Sequence, residues 1–237
     1  MKVVRTAAEL RAELAPERRA GRTIGFVPTM GALHEAHLSL VRSARDTSDV
    51  VVVSIFVNPL QFLPHEDLAS YPRDEERDLE LAENEKVNVV FLPSVEEMYP
   101  EDRATLVHVD GVTERFEGAS RPGHFDGVAT VVAKLFGLVQ PDTVFFGQKD
   151  AQQLAVVKRM VADLSLPVSI VACPIVRESD GLALSSRNAY LSPDERARAT
   201  VLFKALNAGR DAYVAGGRDD AVAAMETTAA TEPEVFL

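Results

Sequence analysis

At 237 residues and 25.8 kDa, with 46% hydrophobic and 26% charged residues, the chain has the composition of an ordinary globular protein and mass enough for one main core plus a small appendage. Its 25 basic against 36 acidic residues give a formal charge of −11, the wrong sign for wrapping nucleic acid, so an anionic metabolite must be held by local backbone N–H groups, helix N-termini and a few cations. A single cysteine, Cys173, permits no internal disulfide, the apolar run at 50–57 is far short of a membrane span, and the N-terminus lacks an apolar signal core, so a cytoplasmic protein with no membrane partner is expected.

Thr6 followed by Glu9 is a capping-box pattern and predicts a helix over 6–14. A strand is predicted over 23–28, followed by P-T-M-G-A-L-H-E-A-H and a helix over 33–45. The next strand, 50–57, leads into N-P-L-Q-F; a helix over 74–84 and a strand over 87–92 follow. Beyond the loop R-P-G-H-F-D-G come a helix over 127–139, a strand over 143–146 with G-Q-K-D at its end, a helix over 150–163 and a strand over 168–171. Short β-branched runs alternating with amphipathic stretches are the pattern of βαβ units around a buried parallel sheet, so the class is α/β. The texture changes after Pro174. The loop E-S-D-G-L-A-L-S-S-R-N precedes Ser192, an N-cap with Pro193 at the first helical position, and one long helix is predicted to about 215. Gly216-Gly217 breaks it, a second helix begins near 219, and the chain then reads T-E-P-E-V-F-L. The expected division is 1–174 and a smaller C-terminal domain over 175–237.

Ligands of an open parallel sheet bind beyond the carboxyl ends of its strands, and here the residues just past each strand are polar. Met30-Gly31 form a turn, and His34 and His37 stand three apart at a helix N-terminus. Two imidazoles beside free helix N–H groups suit phosphate; a surface histidine pair and a zinc site are the alternatives, although His-Glu-Ala-His lacks the spacing of a zinc protease. Neither a phosphate-loop nor a G-x-G-x-x-G fingerprint occurs. Lys149 follows a strand and opens a helix, where its ammonium projects over the sheet edge or is simply solvated. Ser185-Ser186-Arg187 offer two hydroxyls and a guanidinium fork for phosphate oxygens, or make a plain polar turn. Gln61 and Gln153 suit a neutral polar substrate, or are surface glutamines.

In this order the segments resemble the pantothenate synthetase (pantoate–β-alanine ligase) family, nucleotidyltransferases related to class I aminoacyl-tRNA synthetases. The resemblance runs from about 23 to about 192 and rests on P-T-M-G-A-L-H-E-A-H, S-I-F-V-N-P-L-Q-F, Y-P-R, R-P-G-H-F-D-G-V-A-T-V-V, F-F-G-Q-K-D-A-Q-Q and L-S-S-R-N-A-Y-L-S. It implies a Rossmann-like doubly wound parallel sheet that binds nucleotide and pantoate, with a smaller C-terminal lid. It implies a ligase that uses ATP and Mg²⁺ to join pantoate to β-alanine through a pantoyl-adenylate, releasing pyrophosphate and AMP, in a homodimer without nucleic-acid partner. His37, as proton donor, His34, Lys149, Ser185, Ser186 and Arg187 are the catalytic positions that it carries over. ATP would be bound by Met30, Gly31, Ala32, Leu33, His34, Glu35, Ala36, His37, Gly147, Gln148, Lys149, Asp150, Val176, Leu184, Ser185, Ser186 and Arg187. Pantoate falls to Gln61 and Gln153, β-alanine to Gln61, and no metal is assigned to protein side chains, Mg²⁺ being carried by ATP. Three departures stand out: Ala36 for the usual glycine, Leu63-Pro64-His65 for Gly-Pro-Asn, and Leu184 for methionine. Family members usually run further, so a shortened lid is expected. Two other readings are a different nucleotidyltransferase and a nucleotide-binding protein without turnover.

Overall fold

Period-two alternation of large apolar residues sends each central strand's side chains to two opposite cores, and helices cover both. The strands are β1 (Lys2–Val4), β2 (Ile24–Thr29), β3 (Val50–Ile55), β4 (Val89–Phe91), β5 (Thr143–Gly147) and β6 (Ser169–Cys173), all parallel in the order β1-β4-β3-β2-β5-β6. On one face Phe26, Val52, Phe91, Val144 and Phe146 pack with helices α1 (Ala7–Arg19), α6 (His124–Val139) and α7 (Ala151–Asp163). On the other, Val27, Val51, Val53, Val90 and Phe145 meet α2 (Glu35–Thr47) and α3 (Glu75–Asn84). Short helices α4 (Val95–Met98) and α5 (Glu117–Ser120) lie in the connection between β4 and α6. This is the doubly wound Rossmann-like sheet, with strand β1 added at its edge.

The strand order reverses between β2 and β5, and there the pairing is unequal. Strands β2 and β3 stay in register to Thr29–Ile55, whereas β2 and β5 pair only at Gly25–Thr143 and Phe26–Val144. The β2–β5 pairing thus stops well before the carboxyl end of β2, the topological switch point at which such sheets bind ligands. Pro28 lies on β2 beyond the last residue paired with β5, where its missing N–H costs that ladder nothing.

The chain divides into two compact units, Met1–Ile175 and the segment from Val176 onward, and the computed structural model describes residues 1–232. In the second unit, Arg177 and Ala183 form an antiparallel bridge and the Leu184 N–H donates to the Val176 carbonyl at 3.0 Å. Gly181 turns this hairpin at φ +95° against the ring of Phe203, over which Arg177 lies 4.8 Å from the centroid. A 3₁₀ turn (Ser186–Tyr190) leads to α8 (Pro193–Arg198), α9 (Val201–Gly216) and α10 (Arg218–Ala229). Gly209 of α9 packs on Met225 of α10, a contact that leaves no room for a Cβ.

The structure departs from the sequence expectations at several elements: α1 runs past 14 to Arg19, and α6 starts at His124, inside the motif read as a loop. Strand β1 has no counterpart among those expectations, because three residues of K-V-V carry no periodicity. Helix α2 starts at Glu35, with His34 as its extended N-cap rather than inside it. Strand β3 ends at Ile55, before Phe56 and Val57. The long C-terminal helix is two, α8 and α9, broken at Ala199–Thr200, where the buried Thr200 hydroxyl donates to the Ala197 carbonyl at 3.0 Å. Of the tail T-E-P-E-V-F-L, residues 233–237 lie outside the described residues.

Candidate active site

The loop leaving β2 turns through two left-handed residues, Gly31 (φ +82°) and Ala32 (φ +49°). Such a turn points its backbone N–H groups inward, and they need acceptors. Asp78 of α3, 2% exposed, supplies both: its carboxylate accepts from the Ala32 N–H at 2.8 Å and from the Leu33 N–H at 2.7 Å. Burial pushes this carboxyl up, against the pull of those two bonds and of Arg77. Arg77 donates to the Leu33 carbonyl at 3.3 Å, so consecutive residues of α3 frame the loop. A Cβ on Gly31 would lie 2.9 Å from the Asp78 carboxylate and 3.0 Å from Ile55, which leaves glycine as the residue that fits.

Held this way, the loop delivers His34 to the N-cap and His37 to the first turn of the 13-residue helix α2, with ring centroids 4.2 Å apart. The His34 backbone N–H points at His37 Nδ1 at 3.4 Å. That nitrogen is therefore an acceptor and Nε2 carries the hydrogen. Burial, then His34, then the Lys149 charge bring the His37 pKa down to about 3. Burial and the cations Lys149 and Arg77 lower His34 as well, and His34 Nδ1 is buried without a protein partner. Both rings are neutral at pH 7, in a positive field at a helix N-terminus. Glu35 turns outward to Arg42, and the Ala36 carbonyl accepts from the Ser39 hydroxyl at 2.8 Å.

The loop leaving β3 is built on different lines. Asn58, 1% exposed, caps the 3₁₀ turn Pro59–Gln61 by accepting from the Leu60 N–H at 3.3 Å. Its amide nitrogen donates to Gln61 Oε1 and to the Gly127 carbonyl, each at 3.0 Å, and Tyr99 donates to its oxygen at 2.8 Å. Gln61 Nε2 lies 3.2 Å from Met30 Sδ, which brings together two of the expected ligand-binding residues. The Gln61 carbonyl accepts from His124 Nδ1 at 2.7 Å and from Arg121 at 3.2 Å. Since His124 Nε2 faces the Arg121 guanidinium at 3.2 Å, the ring is neutral with its hydrogen on Nδ1, and burial favours that form. Arg121 in turn forks onto Glu66 through two bonds of 2.6 Å. Glu66 accepts from the Leu63 N–H at 3.1 Å, which ties down the divergent Leu63-Pro64-His65 segment. Gly127 abuts the same turn: a Cβ there would lie 2.3 Å from the Leu60 carbonyl oxygen. The motif R-P-G-H-F-D-G is thus a brace for Gln61.

At the end of β5, Gly147 leads into the 3₁₀ turn Gln148–Asp150, where Lys149 pairs with Asp150 at 3.1 Å. Lys149 is near enough to shift both histidines. Gln153 sits half-buried in the first turn of α7, while its neighbour Gln152 donates to the Val112 and Arg115 carbonyls at 2.9 and 2.7 Å. Val176, Leu184, Ser185, Ser186 and Arg187 belong to the second unit, where Val176 and Leu184 pair across the hairpin and the Ser185 hydroxyl accepts from the Arg187 N–H at 3.3 Å. Among the described residues no group of three or more His, Cys, Asp or Glu side chains could hold a metal ion, and no helix is long and apolar enough to cross a membrane.

Sequence reasoning missed Asp78, Asn58, Tyr99 and the bracing roles of Arg121, His124 and Gly127. Asp78 is masked by the other acids of α3, Glu75, Glu76, Glu80 and Glu83; a signal for Asn58 existed in N-P-L-Q, an Asx residue before a proline.

The sequence profile of the family described as Pantoate-beta-alanine ligase matches residues 2–235. A pantothenate synthetase of Moorella thermoacetica is 57% identical, over all of this chain and 84% of its own length. One from Caldicellulosiruptor bescii is 59% identical over 92% of this chain and 78% of its own. The crystal structure of pantothenate synthetase from Thermus thermophilus superposes with a TM-score of 0.95 at 56% identity, covering 99% of this chain and 84% of that one. Pantoate-beta-alanine ligase from Francisella tularensis, complexed with beta-gamma ATP and beta-alanine, gives 0.85 at 34% identity, covering 96% and 86%.

Proposed function

The chain belongs to the pantoate–β-alanine ligase family and is an ATP-dependent ligase of pantoate and β-alanine, and on that premise we propose how its own residues divide the work. In the first half-reaction a pantoate carboxylate oxygen attacks the α-phosphorus of ATP and the bond to the β-phosphate oxygen breaks, releasing pyrophosphate. In the second, the β-alanine amine attacks the acyl carbon, AMP leaves with the bridging oxygen, and the amine gives up a proton. Adenylation asks of the protein mainly position and charge stabilisation.

The observation that carries this assignment is the neutral His34–His37 pair at the N-terminus of α2 within reach of the Lys149 charge. The free N–H groups of α2, His37 Nε2–H, His34 and Lys149 bind phosphate oxygens. Their positive field favours the charge that develops as pyrophosphate departs. His37 enters the reaction neutral, so a proton-donor role requires proton uptake driven by the negative charge of the nucleotide. Met30, Gly31, Ala32, Leu33, Ala36, Gly147, Gln148, Asp150, Val176 and Leu184 line the nucleotide, Glu35 does so through its backbone because its side chain turns outward to Arg42, and Ser185, Ser186 and Arg187 contribute hydroxyl and guanidinium contacts to its phosphates. Gln61 and Gln153 hold pantoate, and Gln61 also meets β-alanine. Residues 1–174 carry the nucleotide and pantoate, and 175–237 form the smaller lid.

Mg²⁺ is proposed to be held by the ATP phosphates, as the family resemblance implies. A homodimer is proposed from the family resemblance alone, to be decided by sedimentation velocity. A cytoplasmic setting is supported by the lone buried Cys173.

Pantoate-dependent exchange of labelled pyrophosphate into ATP, without β-alanine, isolates adenylation. Exchange is expected to require pantoate and to fall about 10²–10³-fold in His37→Ala. Exchange that persists in this variant would remove His37 from the reaction. ATP binding without exchange in the parent protein would favour a nucleotide-binding protein without turnover.

A further inference from the structure

A glutamine amide presents an acceptor on one side and a donor on the other, and which of them faces a substrate decides what the substrate must offer. For Gln61 the choice follows from backbone groups that cannot be reversed. The Gly127 carbonyl can only accept, so the Asn58 atom 3.0 Å from it is the nitrogen. The Leu60 N–H can only donate, so the atom 3.3 Å from it is the Asn58 oxygen. The same nitrogen lies 3.0 Å from Gln61, and that atom of Gln61 is consequently Oε1. Nε2 is left on the opposite side, beside Met30 Sδ, a weak acceptor that occupies one hydrogen at 3.2 Å. Upstream, Tyr99 meets the Asn58 oxygen at 2.8 Å and must donate to it. Burial raises the phenol pKa and so keeps that hydrogen in place. The Tyr99 ring is itself held edge-on to Phe56 at 5.9 Å and beneath the Arg103 guanidinium at 5.4 Å.

Resting on the assignment of pantoate to Gln61, we propose that Gln61 is a locked donor: the relay Tyr99 → Asn58 → Gln61 fixes its amide so that Nε2–H meets an acceptor oxygen of pantoate. Tyr99, at the end of α4, is then a positioning residue for substrate specificity. The same locking selects against a ligand that presents only a donor at this point, because Gln61 cannot flip without setting its nitrogen against that of Asn58.

The test has two arms. By steady-state kinetics, Gln61→Ala raises the KM for pantoate by about tenfold or more. Tyr99→Phe raises it by about three- to tenfold, with kcat within about twofold and the KM for ATP unchanged. Asn58→Ala, which removes the relay without a phenol change, repeats the pantoate effect if Tyr99→Phe does not fold. In ¹⁵N–¹H spectra of the parent protein, the side-chain NH₂ pair of Gln61, assigned by its loss in Gln61→Ala, shows one proton moving downfield as pantoate is added. A pantoate KM untouched by Gln61→Ala would remove the pantoate assignment and the proposal with it. A KM raised by Gln61→Ala, together with an unresponsive NH₂ pair or unaltered pantoate binding in the relay variants, would leave the assignment and overturn the locked donor.

Discussion

Two loops leave the same edge of the sheet, from β2 and from β3, and they solve opposite problems. The β2 loop ends in groups whose chemistry is electrostatic: two imidazoles kept neutral by burial and by nearby cations, one with a buried nitrogen that has no protein partner. The β3 loop ends in an amide whose every neighbour is a defined donor or acceptor, with Arg121 and His124 on its backbone and Asn58 on its side chain. Under the proposed assignment, the polyanion of ATP calls for positive potential and open donors at the first loop, whereas pantoate, a small hydroxy acid, calls for direction at the second. Each loop is nonetheless supported from a distance, the first by Asp78 of α3, the second by Tyr99 at the end of α4, by Arg121 and by the start of α6.

The two supports are separable by mutation. The largest effect is expected from Asp78→Ala, which strands the N–H groups of Ala32 and Leu33: a loss of about 2–4 kcal/mol in urea unfolding, with the KM for ATP rising and that for pantoate unmoved. If the pantoate KM rises equally, the loops are not independent. Next comes Gly127→Ala, whose methyl would displace the Leu60–Gln61 turn; about 1–3 kcal/mol of stability is lost and the KM effect falls on pantoate instead.

His37 titrates near 3 in the folded protein against about 6.5 in an unfolded chain, so its neutral form is favoured by folding. That contribution is complete above about pH 6.5 and is lost as pH falls toward 3, with a slope of at most about 1.4 kcal/mol per unit. Unfolding free energies measured at pH 7, 6 and 5 should therefore fall less steeply in His37→Gln; parallel curves would mean that the site does not penalise protonation. The smallest effect is expected outside both loops. Ser54 on β3 is fully buried with an unpartnered hydroxyl, and Ser54→Ala should be neutral or stabilising by about 1 kcal/mol, read as a raised Tm with unchanged kinetics.

The sequence by itself determined the alternation of strands and helices, because burial on two faces of a parallel sheet writes itself into short β-branched runs and amphipathic periods. It also placed His34, His37, Gln61 and Lys149 just past strand ends, and the order of its motifs pointed to the family. Only the tertiary structure decided what those residues are bonded to. Asp78 reaches Ala32 across 46 positions and Arg121 reaches Gln61 across 60, and no local pattern encodes a hydrogen bond over such separations. Nor does an acidic helix announce which carboxylate it buries. The tautomers of His37 and His124 and the orientation of the Gln61 amide have the same origin: each is set by whether the group facing it can give or accept a hydrogen, a fact that exists only once the chain has folded.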